Sequence, residues 1–363
     1  MKDLKNIIFS AYNNNNLHLK NRIVMAPIPT GFIKNGVIQS SNIEFYKKRA
    51  KDIGLIIAGA ININHPTASN SNKIPYISNK CDIDMWKNIT SNVHEENCKI
   101  FAQLWHSGST RVLTKKNNFK NFSSPSGIVN NKKLGSPLKV SEIKNIIYEF
   151  VKAANHAYKA EFDGIEIHAC HGSLLHDFLT LDSNYRTDQY GIENRTQLIE
   201  EIINGCRETV GNKFLISIRL SNFKMYNLEA KLTNNIQELR DLIRPINNSG
   251  INIFDISDFN YSYNNFYGEN GNLANWIKRI TSKTTISTGS FGNSNIFIND
   301  IPNIINELTY KPKLNYPHLQ SIKPEILNEK LIYEDLIKGE IDLIALGRPL
   351  LFNYNWVKEM RLN

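Results

Sequence analysis

Eight short runs of β-branched and aliphatic residues recur along the chain, each followed by a stretch with helical character. This alternation constrains the fold more than any other feature. The runs are Ile23–Ala26, Gly54–Ala60, Lys99–His106, Gly164–His168, Phe214–Leu220, Ile251–Ser257, Thr284–Gly289 and Ile341–Gly347. Short, near-continuous apolar segments of this kind suit parallel strands buried on both faces. Helices are predicted at Ser41–Asp52, Asp82–Asn97, Ser141–Ala160, Asn194–Thr209, Asn235–Asn248, Ala274–Thr281 and Lys330–Lys338, with a closing helix from Trp356 to Met360. Ser141–Ala160 is the clearest, with Ile143, Ile146, Ile147, Phe150, Val151 and Ala154 on one face. Ser41, with Glu44 three residues on, is the expected cap of the first.

Eight strand–helix units in 363 residues predict an α/β chain folded as one (β/α)8 TIM barrel domain. A doubly wound open sheet is the structural alternative. The dinucleotide fingerprint GxGxxG and the phosphate loop GxxxxGK are both missing. Two connections are long. Ser107–Val140 is expected to form a lid or hairpin over the barrel mouth, and Phe291–Asn328 follows the seventh strand.

Composition narrows the class. No apolar run reaches the ~18 residues a membrane helix needs, and Met1 to Lys20 lacks a secretory signal pattern. Cys81, Cys98, Cys170 and Cys206 show no CxxC spacing, which argues against a disulfide scaffold, a zinc site or an iron–sulfur cluster. A reducing cytoplasm is the expected setting. The net charge of +9 is spread over the chain, and the groupings Lys47-Lys48-Arg49 and Lys115-Lys116 carry no nucleic-acid signature. Asparagine fills about one position in seven, which reads as coding bias.

In a barrel, function gathers at the carboxyl ends of the strands. Here those ends carry Pro27, Pro29, Ala60, Gln103, Trp105, His106, His168, His171, Arg219, Gly289, Ser290, Gly347 and Arg348. They offer an amide, paired histidines and an arginine, with small residues that leave room for something flat. The glycines of strands seven and eight fall where barrels often hold phosphate.

Several motifs resemble the old yellow enzyme family of FMN-dependent ene-reductases. They are Asn21-Arg22-Ile23-Val24-Met25-Ala26-Pro27, Phe45-Tyr46-Lys47-Lys48-Arg49-Ala50 and Gln103-Leu104-Trp105-His106-Ser107-Gly108. Further on come Phe162 through Gly172, Ser183 through Gly191 with Glu193-Asn194-Arg195, and Ala345-Leu346-Gly347-Arg348-Pro349. The matches run from about residue 4 to residue 360.

The resemblance implies FMN at the barrel mouth and NAD(P)H as reductant. Gln103 and Arg219 would meet the flavin's polar edge, Pro27 and Ala60 its ring, and Gly289, Ser290, Gly347 and Arg348 its phosphate. His168 and His171 would be catalytic, donating to the carbonyl of an α,β-unsaturated substrate while hydride reaches the β-carbon. The only other expected partner is that small molecule, for a monomer or homo-oligomer alike, with no nucleic acid, membrane or metal. No appended iron–sulfur domain is expected, since the sequence ends at Asn363.

Two positions depart from the family pattern. Ser173 stands where relatives carry a tyrosine acid, and Pro29 where they carry a flavin-bonding Thr or Cys. Water, or Tyr261, Tyr263 or Tyr267, is the alternative proton source. An isomerase or dehydrogenase chemistry on the same flavin barrel is the second reading. A metal-dependent hydrolase using His106, His168 and His171, and a flavin-binding protein without turnover, are the competing classes. Asp163 and Asp342, at the amino ends of strands, are badly placed to complete a metal site. The Arg186, Asp188, Tyr190, Glu193 and Arg195 cluster is read as a structural brace.

Overall fold

The computed structural model describes residues 2–14, 16–113, 121–289, 291 and 324–362. Eight parallel strands close a barrel in sequence order. They are β1 (Ile23–Met25), β2 (Leu55–Asn62), β3 (Lys99–Trp105), β4 (Gly164–His171), β5 (Leu215–Lys224), β6 (Ile253–Ser257), β7 (Thr284–Thr288) and β8 (Leu343–Leu346). The helices between them are α1 (Ser41–Ala50), α2 (Lys80–His94), α3 (Val140–Lys159), α4 (Gln197–Val210), α5 (Ile236–Asn248), α6 (Leu273–Thr281) and α7 (Pro324–Lys338), with α8 (Trp356–Leu362) at the end. This is the predicted (β/α)8 architecture, and the open sheet is ruled out. No helix among the described residues is long and apolar enough to cross a membrane.

Strand alternation sorts the core. Ile165, Ile167 and Ala169 of β4, with Ile216, Ile218 and Leu220 of β5, join the large cluster beneath the helices. The intervening residues therefore face the barrel interior. At the amino end that interior is apolar: Val24, Leu55, Phe101, Leu215, Ile253 and Leu343 pack with Tyr12, Leu17 and Leu19 of an N-terminal hairpin. The Tyr12 hydroxyl bonds Thr284 Oγ1 at the foot of β7 (2.9 Å). The plug leaves the carboxyl ends as the accessible mouth.

The amphipathic face of α3 is buried as predicted through Ile143, Ile146, Phe150 and Ala154, and Glu142 accepts from the Lys139 backbone N–H at 2.6 Å. The predicted Ser41 cap is not formed. Ser41 is already helical and the preceding Ser40 makes no side-chain cap bond. Asparagine caps instead: Asn79, Asn235 and Asn272 accept the third-residue amides of α2, α5 and α6.

The Ser107–Val140 connection holds a short helix, Thr110–Leu113, and the predicted hairpin, Ile128–Val129 paired with Lys132–Lys133. Within the connection after β7, residues 292–323 lie outside the described residues. Helix α7 begins at Pro324, ahead of the predicted Lys330, and proline suits a first helical turn.

Arg186 pairs with Asp188 and donates to the carbonyls of Pro125 and Leu138. Arg195 donates to those of Leu179 and Leu232. This is the expected brace, with Glu193 in a 3₁₀ turn beside it. Asp163 is held by His94 and Lys99, and Asp342 by Lys278, at the closed end.

Candidate active site at the barrel mouth

Two inward layers on β3 to β7 carry polar groups. In the lower one, Gln103 Nε2 donates to Glu166 Oε1 (2.8 Å) and Ser217 Oγ donates to Glu166 Oε2 (3.1 Å). In the next, Arg219 donates to Asp255 (2.6 Å) and to Thr288 Oγ1 (3.2 Å). Arg219 and Asp255 are register partners on neighbouring strands, as are Gln103 and Glu166.

Burial raises the Glu166 carboxyl well above its usual range, and the charge of Asp255 adds to the rise. Burial also raises Asp255, which Arg219 partly offsets. Two acids this close in the barrel interior raise one another's resistance to ionisation, and Arg219 works against that rise. Burial alone would lower Arg219, yet Asp255 and Glu166 hold it firmly protonated.

Gly59 lets β2 lie against Gln103. A Cβ at Gly59 would come within 2.8 Å of Gln103 Cβ, and its φ of +152° suits glycine. Ala60 follows, half-buried, where the β2 register shifts.

The paired histidines depend on an irregular strand. His168 faces inward, and strict alternation would turn His171 outward. A register shift between Ala169 and His171, with His171 at φ +59°, brings it back. The two rings then lie 5.8 Å apart. The predicted strand ended at His168, but the bulged end continues to His171 because β5 also extends. His171 N donates to Ser221 Oγ (3.0 Å), and the Met225 N–H donates to the His171 carbonyl (3.3 Å).

Each histidine has one ring nitrogen held by a serine. His168 Nδ1 bonds Ser173 Oγ (3.0 Å), and His171 Nε2 bonds Ser257 Oγ (2.9 Å). The other nitrogens, His168 Nε2 and His171 Nδ1, each lie 3.5 Å from Cys170 Sγ. Burial, with Arg219 adding to it, depresses His168 to about 3. Burial also drives His171 well below the usual range, so both rings are neutral near pH 7. Trp105 stands edge-on to His168 (6.2 Å), and Phe223 tilts over His171 (5.0 Å) with Phe259 behind it.

The remaining predicted residues divide. Pro27, Gly347 and Arg348 sit half-buried at the ends of β1 and β8. A Cβ at Gly347 would meet only Ile28 Cγ2, at 3.6 Å, so its backbone is open to a ligand. Gly289 follows β7 directly, where a Cβ would come within 3.1 Å of the Tyr261 backbone N, while Ser290 lies outside the described residues. Pro29 is exposed.

His106 is not in the cluster. Its Nε2 lies 3.0 Å from His65 Nδ1, and its Nδ1 accepts from the Gly108 N–H. The His106, His168, His171 metal set of the hydrolase reading is therefore not assembled. Tyr261 is also engaged elsewhere, since its hydroxyl donates to Asp335 (2.6 Å). Tyr263 and Tyr267 are exposed.

Glu166, Asp255, Ser257, Phe223 and Phe259 were missed in the sequence, whereas Trp105 of the aromatic wall was among the strand-end residues. The available signal was a lone acid breaking an apolar run, Ile165-Glu166-Ile167 and Phe254-Asp255-Ile256.

The profile of the NADH:flavin oxidoreductase / NADH oxidase family matches residues 8–302. The 12-oxophytodienoate reductase 1 of Oryza sativa subsp. japonica is 36% identical over 229 residues, covering 60% of this chain and 59% of that protein. The chain thus spans about three fifths of the length of the rice relatives it matches. The NADPH dehydrogenase of Bacillus subtilis (strain 168) is 28% identical over 292 residues, covering 78% of this chain and 83% of that protein. The old yellow enzyme homologue of Zymomonas mobilis shares the fold, with a TM-score of 0.73 at 23% identity over 97% of this chain and 92% of that one.

Fold and family match together define a class, the flavin-dependent oxidoreductases built on a parallel (β/α)8 barrel. The chain belongs to the NADH:flavin oxidoreductase / NADH oxidase family, the old yellow enzyme family, whose cofactor is FMN and whose reductant is NADH or NADPH.

Proposed function

We propose that this chain reduces α,β-unsaturated carbonyls or similar electrophiles, with His168 and His171 holding the carbonyl oxygen. The observation that carries the reading is the pairing of the two neutral rings at the barrel mouth, 5.8 Å apart, each with one nitrogen anchored by a serine and the other beside Cys170 Sγ. When Ser173 and Ser257 donate to the anchored nitrogens, both free nitrogens carry protons. Two N–H groups then meet the charge that grows on the carbonyl oxygen, each worth roughly 2.7–4 kcal/mol in the transition state.

The donor set fits the family's cofactor. Gln103 and Arg219 offer an amide and a guanidinium to a polar ring edge that becomes anionic on reduction. Pro27 and Ala60 supply packing surface, and Gly289, Gly347 and Arg348 suit a phosphate. FMN, when bound, supplies the hydride after taking it from NADH or NADPH. Trp105, Phe223 and Phe259 favour a flat, conjugated substrate.

Ser173 is engaged by His168 and Tyr261 by Asp335, which leaves water, or the exposed Tyr263 or Tyr267, as the proton source for the α-carbon. The same engagement favours, as a second reading, a flavin reaction that needs no carbon acid, such as an isomerisation or dehydrogenation.

The visible spectrum of the purified protein tests the assignment. A yellow protein that releases FMN on denaturation and bleaches with NADPH is expected. A correctly folded, colourless protein would overturn it.

A further inference from the structure

The proposed carbonyl chemistry uses two imidazoles and leaves a buried thiol between them without a role. Cys170 Sγ lies 3.5 Å from His168 Nε2 and 3.5 Å from His171 Nδ1, and all three ligand atoms fall within 4.8 Å of one another. In a tetrahedral zinc site, Zn–S near 2.3 Å and Zn–N near 2.0–2.1 Å give ligand-to-ligand edges of about 3.5 Å. Each histidine is also held at its other nitrogen, by Ser173 and Ser257, as metal-bound histidines characteristically are.

We propose that His168 Nε2, Cys170 Sγ and His171 Nδ1 bind a soft divalent cation of the zinc type, and that the ion excludes the carbonyl substrate. The second half rests on the function proposed above; the first half does not. Water completes the coordination. Binding breaks the Cys170 S–H bond and releases one proton to solvent. Each imidazole stays neutral, its proton moving to the nitrogen that faces a serine, and each serine hydroxyl turns from donor to acceptor. Nothing is oxidised or reduced. A hydroxyl is the side chain that can serve both states, since it donates and accepts equally well.

Arg219, the nearby cation, is paired with Asp255, while burial pushes the Cys170 thiol well up, so the ion has to displace its proton. The strand bulge is essential, because without it His168 and His171 would face opposite sides of β4.

The test uses the oxidised, flavin-loaded protein after chelator treatment. Calorimetric titration with Zn²⁺ in two buffers of different ionisation heat should give one ion per chain and one proton released. Co²⁺ should give intense four-coordinate ligand-field bands at wavelengths beyond flavin absorption. Cys170→Ala, verified by its retained flavin spectrum, should weaken binding by at least about 100-fold. No saturable binding to the wild type, no thiolate-to-cobalt band, or an unchanged affinity in Cys170→Ala would each overturn the site. Zn²⁺ should also slow enone turnover, reversibly with chelator. If one Zn²⁺ binds through Cys170 but turnover is unaffected, the cation site stands and the placement of the carbonyl at the histidines falls.

Discussion

Arg219 donates to Asp255 across 2.6 Å with their side chains 5% and 0% exposed, so the guanidinium beneath the mouth has its charge fixed by a carboxylate sealed inside the barrel. Removing one partner of such a pair strands a buried charge, at about 3–5 kcal/mol. Asp255→Asn should lower stability by that order, read from urea unfolding of flavin-free protein. Replacing both residues with apolar side chains should lower it less while abolishing flavin retention.

Ser173 acts on the neighbouring histidine. Its Oγ lies 3.0 Å from His168 Nδ1 and donates to the His168 carbonyl at 3.3 Å, so removing the hydroxyl takes away the partner that orients the ring. Ser173→Ala should slow reoxidation of the reduced protein by an enone about tenfold, on the order of 1.4 kcal/mol for one hydrogen bond. Bleaching by NADPH should be unchanged. Stopped-flow traces of the two half-reactions separate these effects.

Asp258 carries the clearest pH signature. Its Oδ2 is buried without a partner, and burial raises the carboxyl from 3.8 to about 7. A carboxyl raised on folding stabilises fully below pH 3.8, and that contribution is lost as pH rises towards 7. Asparagine does not titrate. Asp258→Asn should therefore gain on the wild type by about 1.4 kcal/mol per pH unit across that window. Urea midpoints of both proteins at mildly acidic and alkaline pH check the sign.

Lys224 ties the segment after β4 to β5. Its ammonium is fully buried between Asp177 (3.1 Å) and Asp182 (2.6 Å), and Tyr226 donates to Asp177 (3.0 Å). Lys224→Met should destabilise by about 3–5 kcal/mol, because Asp177 is left buried without its cation. The double variant Lys224→Met, Asp177→Leu should recover part of the loss in the same unfolding assay.

What the sequence made legible follows from locality. The barrel was readable because buried parallel strands are apolar on both faces, so each announces itself within a few residues. The end of β4 was not, because the bulge that reunites His168 with His171 exists only through pairing with Ser221 and Met225. Ser173 was readable as a departure from the family pattern, but its bond to His168 requires the turn that begins at Gly172, where φ is +83°. Glu166 and Asp255 were visible as lone acids, yet their partners depend on strand register. The asparagine excess is also partly structural: beyond the caps on α2, α5 and α6, Asn35, Asn97, Asn130 and Asn131 occupy the left-handed region that asparagine tolerates.

The central claim is that His168 and His171 activate a carbonyl for hydride acceptance. Its most direct measurement is the anaerobic reoxidation, by an enone, of NADPH-reduced wild type and of the His168→Ala, His171→Ala double variant, each with full flavin content. The wild type should regain its yellow colour as the enone is consumed, and the variant should do so at least about 100-fold more slowly. A wild type that stays bleached, or a variant that reoxidises at the same rate, would contradict the account.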